Sequence, residues 1–172
     1  MQRMLANLRA RREDERGFTL IELMVVVLII AILIAIAIPT FLGAKTRAQD
    51  KAAQSGLRNA LTNAKAIYTD TDVYTNATPS ALQTAEPSLT FTAGTSTGPK
   101  VVSVAASAQG IVMAALSASG VCWVVGDGAN GPGTVFRNLG AATCTAPAAS
   151  TLPVSIPTTV NSTSGGGWAQ AW

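Results

Sequence analysis

The sequence predicts an α+β protein in which one long N-terminal helix packs on a small antiparallel β-sheet. Three observations lead to this fold class. Residues 23–38 form an unbroken apolar run, an amphipathic pattern with helical spacing continues to about residue 69, and short β-rich runs separated by Gly, Pro, Ser and Thr follow. A helix with one apolar stripe and a sheet with one apolar face are each unstable alone in water, so we expect them to bury these surfaces together.

The apolar run is long enough to cross a membrane. As a helix, residues 18–38 would extend about 30 Å, the thickness of the hydrocarbon core of a bilayer. Positive charge marks the cytoplasmic side of such a segment, and four of the five arginines that precede it lie in residues 9–16: Arg9, Arg11, Arg12 and Arg16. We therefore expect a single-pass precursor in the cytoplasmic membrane with its N-terminus inside. An ordinary signal peptide is disfavoured, because its apolar core is only about 7–15 residues long.

The helix is expected to continue beyond the apolar run. Apolar residues recur there at helical spacing: Ala53, Leu57, Ala60, Leu61, Ala64, Ile67 and Tyr68. We predict one helix from about Phe18 to about Thr69, apolar all round in residues 18–39 and amphipathic in residues 40–69. Pro39 is a predicted kink, because its ring removes one backbone hydrogen bond and crowds the preceding turn.

Residues 70–172 are expected to form a β-rich globular head. The runs at 88–92, 100–107, 110–117, 120–127 and 134–138 have the composition of strands and are bounded by turn residues. The tail from residue 146 is rich in Pro, Ser, Thr and Gly, so we expect much of it to be loop or flexible. Residues 127–131 are interpreted as a turn, with a calcium loop as the weaker alternative. Trp123 is expected to pack in the core.

The composition argues against an enzyme. Charged residues make up 12% of the chain and hydrophobic residues 48%, whereas an average soluble domain carries about 25% charge. The absence of histidine removes the commonest general base and the commonest metal ligand. No cluster of acid, base or nucleophile stands out in the sequence. We predict no catalytic residue, no metal and no cofactor.

The net charge of +3 does not indicate a nucleic-acid-binding protein. Residues 1–17 hold five arginines against Glu13, Asp14 and Glu15, while the rest of the chain is nearly neutral. Nucleic-acid recognition needs a broad basic surface or stripe. No specific nucleic-acid partner is therefore expected.

Glu22 lies inside the apolar segment. Inserting a carboxylate at the bilayer centre costs about 2.5–3.5 kcal/mol on insertion scales, and less near the membrane surface. Its position alone leaves two interpretations open. Glu22 either extends to the lipid headgroups, or it has a role that repays this cost.

The stretch GFTLIELMVVVLIIAILIAIAIP, residues 17–39, resembles the N-terminal motif of type IV prepilins and pseudopilins. This resemblance implies a pilin-like fold, in which a membrane aspartyl peptidase cuts between Gly17 and Phe18 and N-methylates Phe18. Residues 1–17 would be the cleaved leader. The resemblance makes Glu22 the family's glutamate, and we expect it to neutralise the Phe18 amine of a neighbouring subunit and to set the axial register. Pro39 resembles the family's helix-interrupting proline.

Cys122 and Cys144 are the two cysteines of the chain. Pilin heads commonly carry a C-terminal disulfide loop of similar spacing, so the resemblance implies a Cys122–Cys144 disulfide. Export to an oxidising compartment is compatible with such a bond. Two buried free thiols are the alternative.

These features predict a structural subunit, a major pilin that polymerises into a type IV pilus fibre on the cell surface. The expected partners are other copies of the chain, the prepilin peptidase/methyltransferase, the pilus assembly platform in the inner membrane, and membrane lipid before assembly. The alternatives are a pseudopilin of a type II secretion or DNA-uptake apparatus, and a monomeric, signal-anchored exported protein.

Overall fold

A computed structural model describes residues 18–131, 133–141, 143–147, 149, 167–170 and 172. The elements in chain order are helix α1 (Leu20–Thr71), a 3-10 turn (Tyr74–Asn76), helix α2 (Pro79–Ala85), and strands β1 (Thr90–Thr92), β2 (Val101–Ala106), β3 (Gly110–Leu116), β4 (Cys122–Gly128) and β5 (Gly133–Gly140). The predicted α+β fold with a long N-terminal helix and a small sheet is confirmed. The chain divides into two compact units between Gly43 and Ala44.

The first unit contains the N-terminal part of helix α1. The helix begins at Leu20, two positions after the predicted start. Its large apolar side chains from Phe18 to Leu42 are all exposed. The helix can form without any partner surface, because nearly all of its backbone groups after the first turn pair within the same segment.

The second unit begins with the C-terminal part of helix α1. One stripe of this part is buried: Ala53, Gln54, Leu57, Ala60, Leu61 and Ala64. The helix ends at Thr71, two positions after the predicted end. Asp72 follows in the left-handed conformation, with φ at 56°, and its N–H donates to the Tyr68 carbonyl at 2.7 Å. This contact satisfies one of the carbonyls that a helix end leaves free.

The five strands form one sheet in the order β1-β2-β3-β4-β5. Each strand pairs with its neighbour in sequence, and the three pairs from β2 to β5 are antiparallel. The sheet is mostly antiparallel, as predicted, and its first pair is the exception, since β1 and β2 run parallel. Strand β1 has only three residues, about 10 Å of chain. The loop of residues 93–100 is therefore long enough to bring the chain back to the start of β1, so that β2 can pair in parallel without a crossover helix.

Helix α2 was absent from the sequence-based prediction. It begins at a Thr-Pro pair, where the Thr78 hydroxyl accepts from the Ala81 N–H at 3.3 Å and Pro79 occupies the first turn. Thr at the N-cap followed by Pro is a known start signal. The signal was present in the sequence, but the helix has only seven residues, too few to establish a periodic pattern.

The sheet separates two apolar clusters. Alternate residues of β3 point to opposite faces, so Ile111, Met113 and Ala115 join the cluster that contains the helix stripe, including Leu57 and Leu61. The residues between them, Val112 and Ala114, point to the other face. There they belong to a second cluster, which also contains the disulfide and Trp168. Both faces of β3 are thus covered, which accounts for its nearly continuous apolar sequence.

The C-terminal residues close the free edge of β5. The backbones of Ala169 and Phe136 exchange two hydrogen bonds, of 2.7 and 2.8 Å. Trp168 is buried in the second cluster. Trp172 packs against the first cluster, with its ring 4.4 Å from the Phe136 ring and 5.0 Å from the Arg58 guanidinium carbon. The described residues of the tail lie outside the named helices and strands, and they contact both faces of the sheet. Most of the tail, including residues 151–166, lies outside the described residues, so the expectation that much of it is loop or flexible stays a prediction.

Candidate functional site

Helix α1 begins with a reciprocal pair of side chain–backbone hydrogen bonds. The Glu22 Oε2 atom accepts from the Thr19 N–H at 2.9 Å and from the Thr19 hydroxyl at 2.8 Å. In return, the Thr19 hydroxyl oxygen accepts from the Glu22 N–H at 3.2 Å. This arrangement is a capping box. The sequence analysis singled out Glu22 but missed Thr19, although the Thr-x-x-Glu spacing was visible in the sequence.

Apolar side chains surround Glu22 on the helix surface. Phe18, Ile21, Val25 and Val26 line an open groove with it. Phe18, which follows the predicted cleavage bond, is 82% exposed. Gly17, the other half of the predicted cleavage bond, lies outside the described residues.

The apolar surface of the helix continues far beyond this groove. The exposed large hydrophobic side chains are Phe18, Leu20, Ile21, Leu23, Met24, Val25, Val26, Val27, Leu28, Ile29, Ile30, Ile32, Leu33, Ile34, Ile36, Ile38, Phe41 and Leu42. Among the described residues, α1 is the one helix long and apolar enough to cross a membrane. An uncovered apolar surface of this extent marks contact with lipid or with other protein.

Pro39 lies inside helix α1, and the helix is assigned on both sides of it without interruption. Proline has no N–H, so the carbonyl of Ala35 loses its partner in the helical ladder. One residue further on, the Thr40 hydroxyl donates to the Ile36 carbonyl at 3.2 Å. Such side-chain bonds to a helix carbonyl accompany bending. The kink at Pro39 remains a prediction.

The head contains the Cys122–Cys144 disulfide that the resemblance implied. Its Cα atoms are 5.3 Å apart, and both cysteines are almost fully buried. Cys122 opens strand β4, and Cys144 follows strand β5. The bond therefore fastens the chain after the last strand to the sheet, with Ser103 Oγ accepting from the Ala146 N–H at 2.9 Å nearby.

A buried polar network joins helix α1 to the end of strand β4. Asp127, which is 5% exposed, accepts from the Tyr74 hydroxyl at 2.5 Å, from the Lys65 ammonium at 2.7 Å and from the Thr134 hydroxyl at 2.7 Å. Burial, together with the hydrogen bond to Asp127 and its charge, raises the pKa of Tyr74. The phenol thus keeps its proton and serves as a donor.

The sequence analysis had assigned residues 127–131 to a turn, with calcium binding as the weaker alternative. The backbone turns there, with the Ala129 N–H donating to Gln109 and the Gly131 N–H to Gly128. Asp127 directs its carboxylate to protein donors. No group of three or more metal-ligating side chains occurs among the described residues.

Trp123 packs against the cluster between helix and sheet, as expected. Its indole N–H donates to the Asp50 carboxylate at 3.2 Å, and Ser119 donates to the same carboxylate oxygen. This second link between helix α1 and the sheet gives the amphipathic half of the helix a fixed register on the strands.

One comparison identifies the N-terminal segment. Residues 13–38 match the prokaryotic N-terminal methylation motif, the prepilin signal of type IV pilins and pseudopilins. No curated protein and no solved structure matches the chain. The motif and the fold support an exported protein of the type IV pilin-like or pseudopilin-like class. This class is structural rather than enzymatic, and its motif implies processing by the prepilin peptidase and assembly by pilus-type machinery.

Proposed function

We propose that this chain is the precursor of a major type IV pilin, which polymerises into a fibre on the cell surface. The observation that carries the proposal is the prepilin motif over residues 13–38, continued by a helix whose apolar surface is uncovered. Residues 1–17 are the leader in this proposal, and the prepilin peptidase cleaves between Gly17 and Phe18 and methylates Phe18. The arginines before the apolar segment support a cytoplasmic N-terminus for the precursor.

The apolar half of helix α1 has two environments in this proposal. It lies in the cytoplasmic membrane as residues 18–39 of the precursor, and it then packs against the same helix of other subunits in the filament core. Its surface of Val, Leu and Ile is equally compatible with lipid tails and with apolar side chains. Transfer from lipid to filament therefore replaces one set of apolar contacts with another. A bend at Pro39 would adapt the helix to this packing.

Glu22 is proposed to fix the axial register of the subunits. Cleavage leaves a cationic amine on Phe18, in or near the membrane. Two opposite charges in an apolar medium attract strongly, and either alone is costly there. A subunit that enters the filament at the correct axial position brings its Phe18 amine to the Glu22 carboxylate of a neighbour. At other axial positions both charges stay unpaired.

A pseudopilin of a secretion or DNA-uptake apparatus is the second candidate, because it shares the processing motif. Two features favour a pilin. The head of about a hundred residues and its C-terminal disulfide loop, closed by Cys122 and Cys144, are similar to those of pilins. A fibre that extends from the cell and contains this chain as its main component would distinguish the two.

The first experiment is N-terminal sequencing and intact mass measurement of protein sheared from the cell surface. We expect a chain that begins at methylated Phe18. Its mass should be lower than that of the same chain with free thiols, because the disulfide has formed with loss of the thiol hydrogens. A chain that begins at Met1 and is recovered only from membranes would contradict the proposal and favour a simple signal anchor.

Glu22→Gln provides the matched test of register, because it removes the charge and keeps the shape of the side chain. Glu86→Gln, the same change in the head, is the control. We expect Glu22→Gln to reduce fibre yield strongly at normal precursor levels, while Glu86→Gln leaves it unchanged. Equal yields and equal register in the two variants would refute the role of Glu22.

A further inference from the structure

Three positively charged side chains form a stripe on one face of helix α1, within the second unit of the chain. Arg47, Lys51 and Arg58 are separated by four and seven residues, spacings that place them one above another on a helix. All three are exposed, and we refer to them as the basic stripe. Lys65 continues the same spacing, but its ammonium is bound to Asp127 at 2.7 Å.

The charge of the basic stripe is not neutralised within the chain. Among the described residues, the Arg47 guanidinium has no hydrogen bond and no ion pair. Lys51 donates to the neutral side chain of Gln54 at 3.0 Å. The Arg58 guanidinium carbon lies 5.0 Å from the Trp172 ring, a contact that holds the side chain in place and leaves its charge intact.

Unpaired negative charge lies at the far end of the same helix. Asp70 and Asp72 are exposed, and neither carboxylate accepts a hydrogen bond or forms an ion pair in the part of the chain that the structure describes. The last turn of helix α1 contains no basic residue. Negative charge is unfavourable there, because the helix dipole is negative at its C-terminus. These two residues, the acidic end, therefore lack a cation that would offset this cost.

The helix itself keeps the two charged regions apart within one chain. Lys51 and Asp70 are 19 positions apart, about 28 Å along a helix, whereas an ion pair requires its charged atoms within about 4 Å. A second, parallel copy that is shifted by this distance brings its acidic end beside the basic stripe. Each copy then still has one free region for a further copy, so the contact is head-to-tail and continues without closing.

We propose that the basic stripe docks on the acidic end of a second copy of this chain, with the two helices parallel and shifted by about 28 Å along their axes. This inference rests on the proposed filament function, in which all copies leave the membrane in the same orientation. It adds a charged contact between the second units of two copies to the apolar packing of the first. Complementary charges of this kind determine which surfaces meet more than they determine affinity.

The first test reverses each set of charges. Arg47→Glu with Lys51→Glu makes the stripe negative on balance, and Asp70→Lys with Asp72→Lys makes the end positive. Each double variant alone should yield at least about tenfold less fibre than the parent, because attractive contacts become repulsive ones. Co-expression of the two variants should restore the yield to within about threefold of the parent, since each chain then carries the charge that the other lacks. Losses without recovery would overturn the inference, as would parental yields from both variants.

Lys45→Glu with Lys100→Glu is the matched control. Both lysines are exposed, and the control changes the net charge as much as the reversal of the stripe does. Lys45 lies two residues before Arg47 and therefore on another face of the helix. The control should stay within about twofold of the parent, because these charges lie outside the proposed contact. A loss equal to that of the stripe variant would mean that lipid headgroups receive these charges, and the inference would be overturned. Precursor level and leader cleavage are measured in the same cells.

Cross-linking with a carbodiimide tests the contact directly. This reagent joins an amine to a carboxylate without a spacer, so Lys51 and Asp70, about 28 Å apart in one chain, can be linked only between two copies. We expect mass spectrometry of digested fibres to find Lys51 linked to Asp70 or Asp72. Links between copies that all involve other residues would overturn the inference.

Failure of the filament proposal can be told apart from failure of this inference. If the parent chain forms no fibre, the proposed function fails, and the same cross-link is sought in the full chain in detergent micelles. A link between Lys51 and Asp70 whose yield rises with protein concentration would support the contact. Its absence at every concentration at which two copies are cross-linked would refute it.

Discussion

Replacing Tyr74 with phenylalanine should destabilise the head, because it removes one donor from a buried carboxylate. The Tyr74 hydroxyl donates to the Asp127 Oδ2 atom at 2.5 Å, and both residues are almost fully buried. The remaining donors to Asp127, Lys65 and Thr134, both bind Oδ1. Tyr74→Phe therefore leaves Oδ2 buried without its donor, at a cost of about 1.5–3 kcal/mol for a hydrogen bond to a charged group.

Tyr68→Phe is the matched control for this change. Tyr68 stacks on Tyr74 with the ring centroids 4.5 Å apart, and among the described residues its hydroxyl makes no hydrogen bond. The control removes the same atom from an adjacent ring and should change the unfolding free energy by less than about 0.5 kcal/mol. It thereby separates the hydrogen bond to Asp127 from the packing of the two rings.

The assay is denaturant unfolding of the full chain in mild detergent, followed by tryptophan fluorescence. All three tryptophans, at 123, 168 and 172, belong to the second unit, so the signal reports on the head. The midpoint should fall in Tyr74→Phe while the slope stays constant. Loss of less than about 0.5 kcal/mol in Tyr74→Phe, equal to the control, would show that this hydrogen bond does not stabilise the fold.

Three further outcomes follow from the structure. Burial and the contact with Asp127 raise the pKa of Tyr74, so above about pH 10 the unfolded chain releases a proton that the folded head retains. The stability that this group contributes should be fully present below that pH and should decrease as the pH rises further, and the decrease should be smaller in Tyr74→Phe. The double substitution of Cys122→Ser and Cys144→Ser should lower the free energy of unfolding by about 3 kcal/mol. An unchanged free energy of unfolding would mean that packing alone holds the loop. Trp172→Ala should lower the free energy of unfolding by about 2–4 kcal/mol, and Trp172→Phe should lower it clearly less, because phenylalanine keeps an aromatic ring. Equal losses in the two variants would show that ring packing does not stabilise the head.

The strands were predictable because each combines β-rich composition with flanking turn residues. Every predicted run overlaps a strand of the structure, from Thr90–Thr92 to Gly133–Gly140. The parallel pairing of β1 and β2 was not predictable in this way, since composition does not encode strand direction. The short spacing between the runs favours antiparallel pairing, and a strand of only three residues can be followed by a parallel neighbour after a short loop.

The buried network around Asp127 could not be predicted from the sequence for a different reason. Its hydrogen bond to Tyr74 spans 53 positions, and the Asp50–Trp123 contact spans 73. Neither pair forms a local pattern, and Asp127 is followed by Gly128-Ala129-Asn130-Gly131, which indicates a turn. The sequence identified the turn correctly and gave no sign that the carboxylate beside it was buried and paired.

The polar side chains of the two units pair over different distances in the sequence, and this difference fits the proposed function. In the apolar half of the helix, Thr19 and Glu22 pair across three positions, so the proposed exchange of lipid for neighbouring helices leaves the contact in place. In the head, two donors to Asp127, Lys65 and Tyr74, come from distant parts of the chain, so their contacts exist only in the completed fold. A segment that must change its surroundings can rely on local hydrogen bonds, because they need no partner beyond the same helical turn. The head can rely on long-range bonds and a disulfide, since nothing in the proposed assembly requires it to unfold.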